Sequence, residues 1–254
     1  MKTVLITGCS SGFGLATAHY FLERGWKVVA TMRTPNEGLF PATEHLRMLA
    51  LDVTDPSSIQ QAVEAAGPID VLVNNAGIGL LGALEGISIP VIREIFETNT
   101  FGTMAMTQAV LPQFRQRRSG VVINVTSSVT IKSLPLLSVY TASKAAVNAF
   151  TESLALELEP FNVRVNLVLP GRAPTTDFGK NAQPRMQGSI PEAYTELAQQ
   201  IFADWAQLTS VTEARDVAEA IWLAANDPTA PKCIVAGADA IEIEIEMVAS
   251  AKAC

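Results

Sequence analysis

Tyr140 and Lys144 stand four residues apart in SVYTASKAAVNAFTESLALEL, with Ser127 thirteen residues upstream. Four residues is just over one helical turn, so the phenol and the ammonium project from one face and can meet. A free tyrosine titrates near ~10, and a positive neighbour favours its phenolate, so this pairing predicts a Tyr140 that exchanges a proton at neutral pH. Ser127 adds a hydroxyl suited to holding a carbonyl oxygen. Taken alone, Y-x-x-x-K describes a surface tyrosine beside a solvated lysine equally well, so the elements that position these groups carry the weight.

MKTVLITGCSSGFGLATAHYFLERGWKVVATMR reads as a strand over Thr3 to Thr7, a turn rich in Gly and Ser, an amphipathic helix, and a second strand ending near Met32. Gly8, Gly12 and Gly14 permit tight backbone turns, and a helix N-terminus offers free N–H groups and a positive dipole end to a phosphate. Further strands are expected over Leu46 to Val53, Ile69 to Ala76, the GVVINVTS run and VRVNLVLP, with a last short one near Cys233 to Ala236. Helices are expected from about Pro56 to Ala66, as a pair within Val91 to Gln116 meeting near Asn99, through Tyr140 to about Glu159, and over Pro191–Leu208 and Glu213–Asn226. Alternating elements with nearly continuous apolar strands predict an α/β fold: a Rossmann-like, doubly wound parallel sheet of about seven strands with helices on both faces. Its ligand crevice lies at the carboxyl ends of the strands. The reading is one domain over residues 1–254, with a variable substrate loop at about 172–190 and a C-terminal tail at about 237–254. The stretch to about Gly188 has no period and reads as loop; in the tail, Ile241, Ile243 and Ile245 alternate like a strand while 241, 245 and 248 fit a helix.

In order along the chain, Thr7-Gly8-x-x-x-Gly12-x-Gly14, Asp52, Asn74-Asn75-Ala76-Gly77, Asn99, Ser127, Tyr140-x-x-x-Lys144 and Pro170-Gly171 resemble the short-chain dehydrogenase/reductase family. The chain is similar to its NADP-preferring carbonyl, hydroxysteroid and retinol reductases. The resemblance implies a catalytic set of Asn99, Ser127, Tyr140 and Lys144. It also implies a cofactor site built from Gly8, Ser10, Ser11, Gly12, Phe13, Gly14, Arg33, Asp52, Val53, Asn75, Ala76 and Gly77, with Tyr140, Lys144, Pro170, Gly171 and Thr175. In that scheme Lys144 binds the nicotinamide ribose as well as tuning Tyr140, and Asn99 holds a water for proton supply. Two positions depart from the family pattern: Arg172-Ala173-Pro174 precedes Thr175, and Thr130 replaces a glycine common three residues after the serine.

The end of the second strand, Thr31-Met32-Arg33, has no carboxylate to bond a ribose 2′-hydroxyl and repel a 2′-phosphate. Arg33 presents a fork of donors instead, which favours NADP(H) over NAD(H); a solvated charge at a strand end is the alternative. Leu134, Pro135, Leu136, Leu137, Ile78, Leu80 and Leu81, with Phe178 and Met186, predict an apolar crevice or a piece of core. The expected substrate is therefore a small apolar ketone, aldehyde or secondary alcohol. A non-catalytic NADP(H) sensor on the same fold is the competing class, although it would not need Ser127, Tyr140 and Lys144 together.

A net charge of −7 argues against nucleic acid as the partner. No apolar run reaches the length of a membrane span and Met1 leads straight into a strand, so a cytoplasmic chain without a membrane partner is expected. Cys9, Cys233 and Cys254 have neither disulfide-framework nor zinc-ligand spacing, and His19 and His45 lie remote from the proposed site, so no metal is expected. A homodimer or homotetramer is expected by resemblance.

Overall fold

Short apolar runs bounded by glycine and polar residues become the strands β1 (Thr3–Ile6), β2 (Lys27–Met32), β3 (Leu46–Ala50), β4 (Val71–Asn74), β5 (Gly120–Val125), β6 (Val163–Pro170) and β7 (Cys233–Ala236). In the computed structural model, which describes residues 1–252, they form one parallel sheet in the order β3-β2-β1-β4-β5-β6-β7. Cys254 lies outside the described residues. The helices are α1 (Gly12–Glu23), α2 (Pro56–Ala66), α3 (Ile89–Phe96), α4 (Gly102–Arg117), α5 (Ser138–Leu158), α6 (Phe178–Met186), α7 (Thr195–Gln207), α8 (Ala214–Asn226) and α9 (Ala238–Lys252).

The strands lack polar alternation because both faces are covered. Val4 and Ile6 face Phe21 and Ile221 of the α1 and α8 layer, whereas Leu5 between them faces the layer that holds Met106, Phe114 and Leu154 of α4 and α5. Each such fully buried Leu, Ile or Phe contributes roughly 1.5–3 kcal/mol. Local signals fix the ends of the helices. At α2 the Asp55 carboxylate accepts from the Ser57 N–H at 2.9 Å, Pro56 occupies the first turn, and Gly67 at φ +69° stops the helix.

The chain lays down β1, β2 and β3 outward in one direction, then returns to place β4 on the other side of β1. The loops after β1 and β4 therefore diverge, and this reversal opens the crevice at the carboxyl ends of the strands.

Two segments differ from the sequence expectation or resolve it. Residues 178–186 within the expected loop form the helix α6, although Pro184 interrupts its donor pattern. Tertiary contacts set this helix: Arg185 pairs with Glu94 of α3 at 2.8 Å, and the Phe178 ring lies so near Gly79 that a β-carbon there would stand 2.8 Å from it. The tail forms the helix α9 rather than an edge strand. Its first turn is fixed by Asp239, which accepts from the Arg172 N–H and the Thr212 hydroxyl, both at 2.6 Å.

A buried polar staple joins the two central strands to the helices over them. Asn74 Nδ2 donates to Thr107 Oγ1 at 2.9 Å and to Asn124 Oδ1 at 2.8 Å, and Asn124 Nδ2 donates to Thr151 Oγ1 at 2.8 Å. The staple links β4 and β5 to α4 and α5 through buried bonds, where losing a partner is costly. Asn124→Leu should lower the unfolding free energy by about 2–4 kcal/mol, read from urea denaturation with unchanged m, because it strands an Asn74 donor in the core.

Candidate active site

The turn after β1 is a cradle shaped by missing side chains. Gly8 and Gly12 have φ of +75° and +55°, the left-handed region that glycine enters without strain. A β-carbon on Gly14 would lie 2.2 Å from the Gly8 carbonyl, so α1 can start against the turn only with glycine there. Ser11 is the N-cap residue of α1 but its side chain caps nothing, and Phe13 sits half-buried in the first turn. The α1 N-terminus is thus left open to an anion, as a dinucleotide pyrophosphate requires.

The turn after β4 is bound to this cradle. Thr7 Oγ1 accepts from the Asn75 and Ala76 N–H groups at 3.0 and 2.9 Å, while Asn75 Nδ2 donates to the Thr7 and Gly8 carbonyls at 2.9 and 3.1 Å. One asparagine side chain therefore fixes both walls of the crevice. At the far end of β2, Arg33 is exposed. Asp52 faces it after β3, and its carboxyl is held below the ordinary value mainly by the Thr54 N–H and hydroxyl, with the Arg33 charge adding to them. Val53 is buried and lies 2.8 Å from where a β-carbon on Gly102 would stand, which joins this turn to the start of α4.

Ser127, Tyr140, Lys144 and Asn99 converge at the ends of β4 and β5, and all four are buried. The Ser127 hydroxyl lies near enough to the Tyr140 phenol to favour its ionised form. Lys144 lies one turn along α5, with Nζ 6.0 Å from the Tyr140 ring centroid and donating to the Val125 carbonyl at 3.1 Å. Asn99 sits in a π-helical turn, Glu97–Phe101, between α3 and α4. This widened turn aims its amide inward. Asn99 Oδ1 accepts from the Ile78 N–H at 2.8 Å, and Nδ2 donates to the Ile78 carbonyl and to Ser143 Oγ. Gly77 completes the cluster, because a β-carbon there would fall 3.2 Å from Asn99 Oδ1 and 3.4 Å from Lys144 Nζ.

The electrostatics correct the expectation of a lowered tyrosine. Burial pushes the Tyr140 phenol well above its ordinary value, and the neighbouring Ser127 hydroxyl only partly offsets this. Burial likewise lowers Lys144 to about 8. Spacing brings the two side chains to one face, but desolvation sets their proton affinities. Burial thus favours the protonated form of the phenol.

Beyond β6, the Gly171 N–H donates to Thr212 Oγ1 at 2.9 Å, so the turn after Pro170 is anchored from behind. Thr175 is exposed, and its neighbour Thr176 approaches Gly12, with 3.5 Å from its Cβ to where a Gly12 β-carbon would be. Of the expected apolar lining, Phe178 reaches the site, its ring edge-on to Tyr140 at 5.9 Å between centroids. Leu81 and Leu136 are instead packed with Ala198 and Ile201 of α7, and Leu80 with Ile95 and Val139. The sequence reading did not single out Ser143, which bonds Asn99 and also donates to the Tyr140 carbonyl at 2.7 Å. Its place three residues after Tyr140 on the same helical face was the available signal.

The remaining reactive groups lie elsewhere. Cys9 is enclosed in the glycine turn and burial pushes its thiol up to about 12. His19 bonds the Leu39 carbonyl at 3.1 Å against the Phe40 ring. Among the described residues, no group of three His, Cys, Asp or Glu side chains is placed to hold a metal ion, and no helix is long and apolar enough to cross a membrane.

The profile of the short chain dehydrogenase family matches residues 2–187. The 3-ketodihydrosphingosine reductase of Bacteroides thetaiotaomicron is 44% identical over 174 residues, covering 67% of this chain and 63% of that protein. Human retinol dehydrogenase 8 is 40% identical over 190 residues, covering 70% of this chain and 61% of that protein. Each match thus spans less than two thirds of the relative's length. A solved short-chain dehydrogenase from Streptomyces avermitilis superposes with a TM-score of 0.83 at 31% identity, over 99% of this chain and 93% of that one. Structures of relatives have been solved with NADP and with NADH. Since residues 2–187 hold every strand from β1 to β6 together with Asn99, Ser127, Tyr140 and Lys144, this chain belongs to the short-chain dehydrogenase family.

Proposed function

We propose that the protein is an NADP(H)-dependent oxidoreductase that interconverts an apolar ketone or aldehyde and the corresponding alcohol. The observation that carries this reading is the convergence of buried Ser127, Tyr140 and Lys144 at the mouth of a glycine cradle open to a dinucleotide. When bound, the cofactor supplies the hydride acceptor or donor. The chain's own residues manage the oxygen and its proton. Ser127 holds the carbonyl oxygen by hydrogen bonding, and Tyr140, kept protonated by burial, gives its proton as negative charge develops there. The phenolate left behind is stabilised by the Lys144 ammonium, one helical turn away. Asn99 steadies the Ile78 backbone and Ser143 on the far side of the lysine.

Arg33 supports NADP(H), because an exposed guanidinium stands at the end of β2, where discrimination of the ribose requires either a carboxylate or a cation. Phe178 against Tyr140 supports an apolar substrate, as does the kinship with a 3-ketodihydrosphingosine reductase and a retinol dehydrogenase. A cofactor sensor has no use for a buried acid beside a buried ammonium, whose desolvation costs stability. An assembly of two or four copies and a cytoplasmic setting remain part of the proposal.

Tyr140→Phe should cut NADPH-dependent ketone reduction by at least ~10³-fold while NADPH still quenches intrinsic fluorescence with an unchanged Kd; near-normal turnover would remove the proton-transfer role. Arg33→Asp should lower the NADPH to NADH ratio of kcat/KM by about 10²-fold, and an unmoved ratio would refute the phosphate assignment. Lys144 also has a signature in stability. Its folded pKa of about 8 lies below the ordinary 10.5, so between those values the unfolded chain binds more protons and stability rises with pH. Lys144→Met lacks that contribution. Thermal melts should show the wild type gaining on Lys144→Met as pH rises from below 8 to above 10.5, by roughly 3 kcal/mol; parallel curves would show that the ammonium is solvated.

A further inference from the structure

Thr130 stands where a glycine is common in the family, and its hydroxyl lies between two partners. Asn148 Nδ2 donates to Thr130 Oγ1 at 2.9 Å, and Thr130 Oγ1 donates to the Ser127 carbonyl at 2.8 Å. A hydroxyl has one proton, so the donors run in one direction, from α5 to the backbone of the serine, and each bond polarises the next. Asn148 follows Lys144 by one helical turn. The same helix that carries Tyr140 thus grips the segment leaving β5 at two points, Val125 through Lys144 and Ser127 through Thr130.

Ser127 needs such a grip. Its own hydroxyl accepts only a long bond from the Val129 N–H at 3.4 Å besides meeting Tyr140, and its carbonyl otherwise has the Thr130 N–H at 3.2 Å. With glycine at 130 the side-chain bond is absent and the turn is freer.

We propose that Thr130 and Asn148 are positioning residues for Ser127, their hydrogen-bond chain holding the serine against the Tyr140 phenol so that both hydroxyls meet the substrate oxygen together. The inference rests on the redox role of Ser127 and Tyr140 proposed above. A small displacement of either hydroxyl misaligns the oxygen at which charge develops, which is felt in turnover more than in cofactor binding.

The test compares Thr130→Val, which keeps the shape and removes the hydroxyl, with Thr130→Ser, Asn148→Leu, the Thr130→Val/Asn148→Leu double variant and Ser127→Ala. Kinetics use NADPH and an aromatic ketone, and melting curves accompany each variant. Thr130→Val and Asn148→Leu should each lower kcat about tenfold with KM for NADPH unchanged, and the double variant should be no slower than either single one. Thr130→Ser should restore the rate. In alcohol oxidation the tyrosine limb of the pH profile should move upward in Thr130→Val, because a displaced Ser127 hydroxyl no longer offsets part of the rise that burial causes. Wild-type kcat in Thr130→Val and Asn148→Leu beside an inactive Ser127→Ala overturns the inference and leaves the function intact; a Thr130→Ser as slow as Thr130→Val overturns it too, since packing would then be the cause. An active Ser127→Ala removes the functional reading and the inference with it. Should Thr130→Val fail to fold, Asn148→Leu and its pH profile decide the matter.

Discussion

An ammonium group enclosed by protein governs the architecture of this site. Lys144 is buried, its charge is answered by the Val125 carbonyl, and its proton is correspondingly loosely held. Such a charge is tolerated only where the surroundings supply fixed dipoles and leave no room for relaxation. The side chains omitted around it satisfy that demand as much as those present. Glycine at 77 lets the turn after β4 come up to the ammonium, and the π-helical turn at Asn99 directs an amide toward the same point. The polar staple of Asn74, Asn124, Thr107 and Thr151 then locks the strands and helices that carry these groups.

This arrangement separates binding from proton chemistry. The cradle after β1 lies at the reversal of strand order and depends on backbone shape, so its requirements fall on Gly8, Gly12 and Gly14. The acid cluster depends on desolvation and on α5, which contributes Tyr140, Ser143, Lys144 and Asn148 from successive turns of one face. Asn75 is the physical link between the two, since its amide spans from the strand that bears the acid side of the crevice to the strand that opens the cradle. A third region, the α6 segment, is held by contacts with α3 and with Gly79 rather than by the sheet.

Legibility in the sequence followed the range of the forces involved. Strands buried on both faces announce themselves as apolar runs, and i, i+4 geometry brings Tyr140 and Lys144 together whatever surrounds them. The helix at Phe178–Met186 was not legible: its own residues, Pro184 included, argue against it, and Arg185–Glu94 and Phe178–Gly79 are contacts far apart in sequence. The tail held two periods at once, and Asp239 capturing the Arg172 N–H and Thr212 favoured the helical one. The tyrosine's proton affinity was misjudged for a related reason, since a neighbouring lysine can be read from spacing but the exclusion of water cannot.

The Asp239 contacts also bear on the order in which the site is made. During synthesis Ser127, Tyr140 and Lys144 emerge with strands β1 through β6, which can pair among themselves before β7, the outer partner of β6 at Cys233–Ala236, has been made. The turn at Gly171–Arg172 emerges with them, yet its anchors Thr212 and Asp239 come about forty and seventy residues later. The nascent chain therefore holds the elements that carry Ser127, Tyr140 and Lys144 before the turn after β6 is anchored, and that turn is fixed only once the final helix has formed.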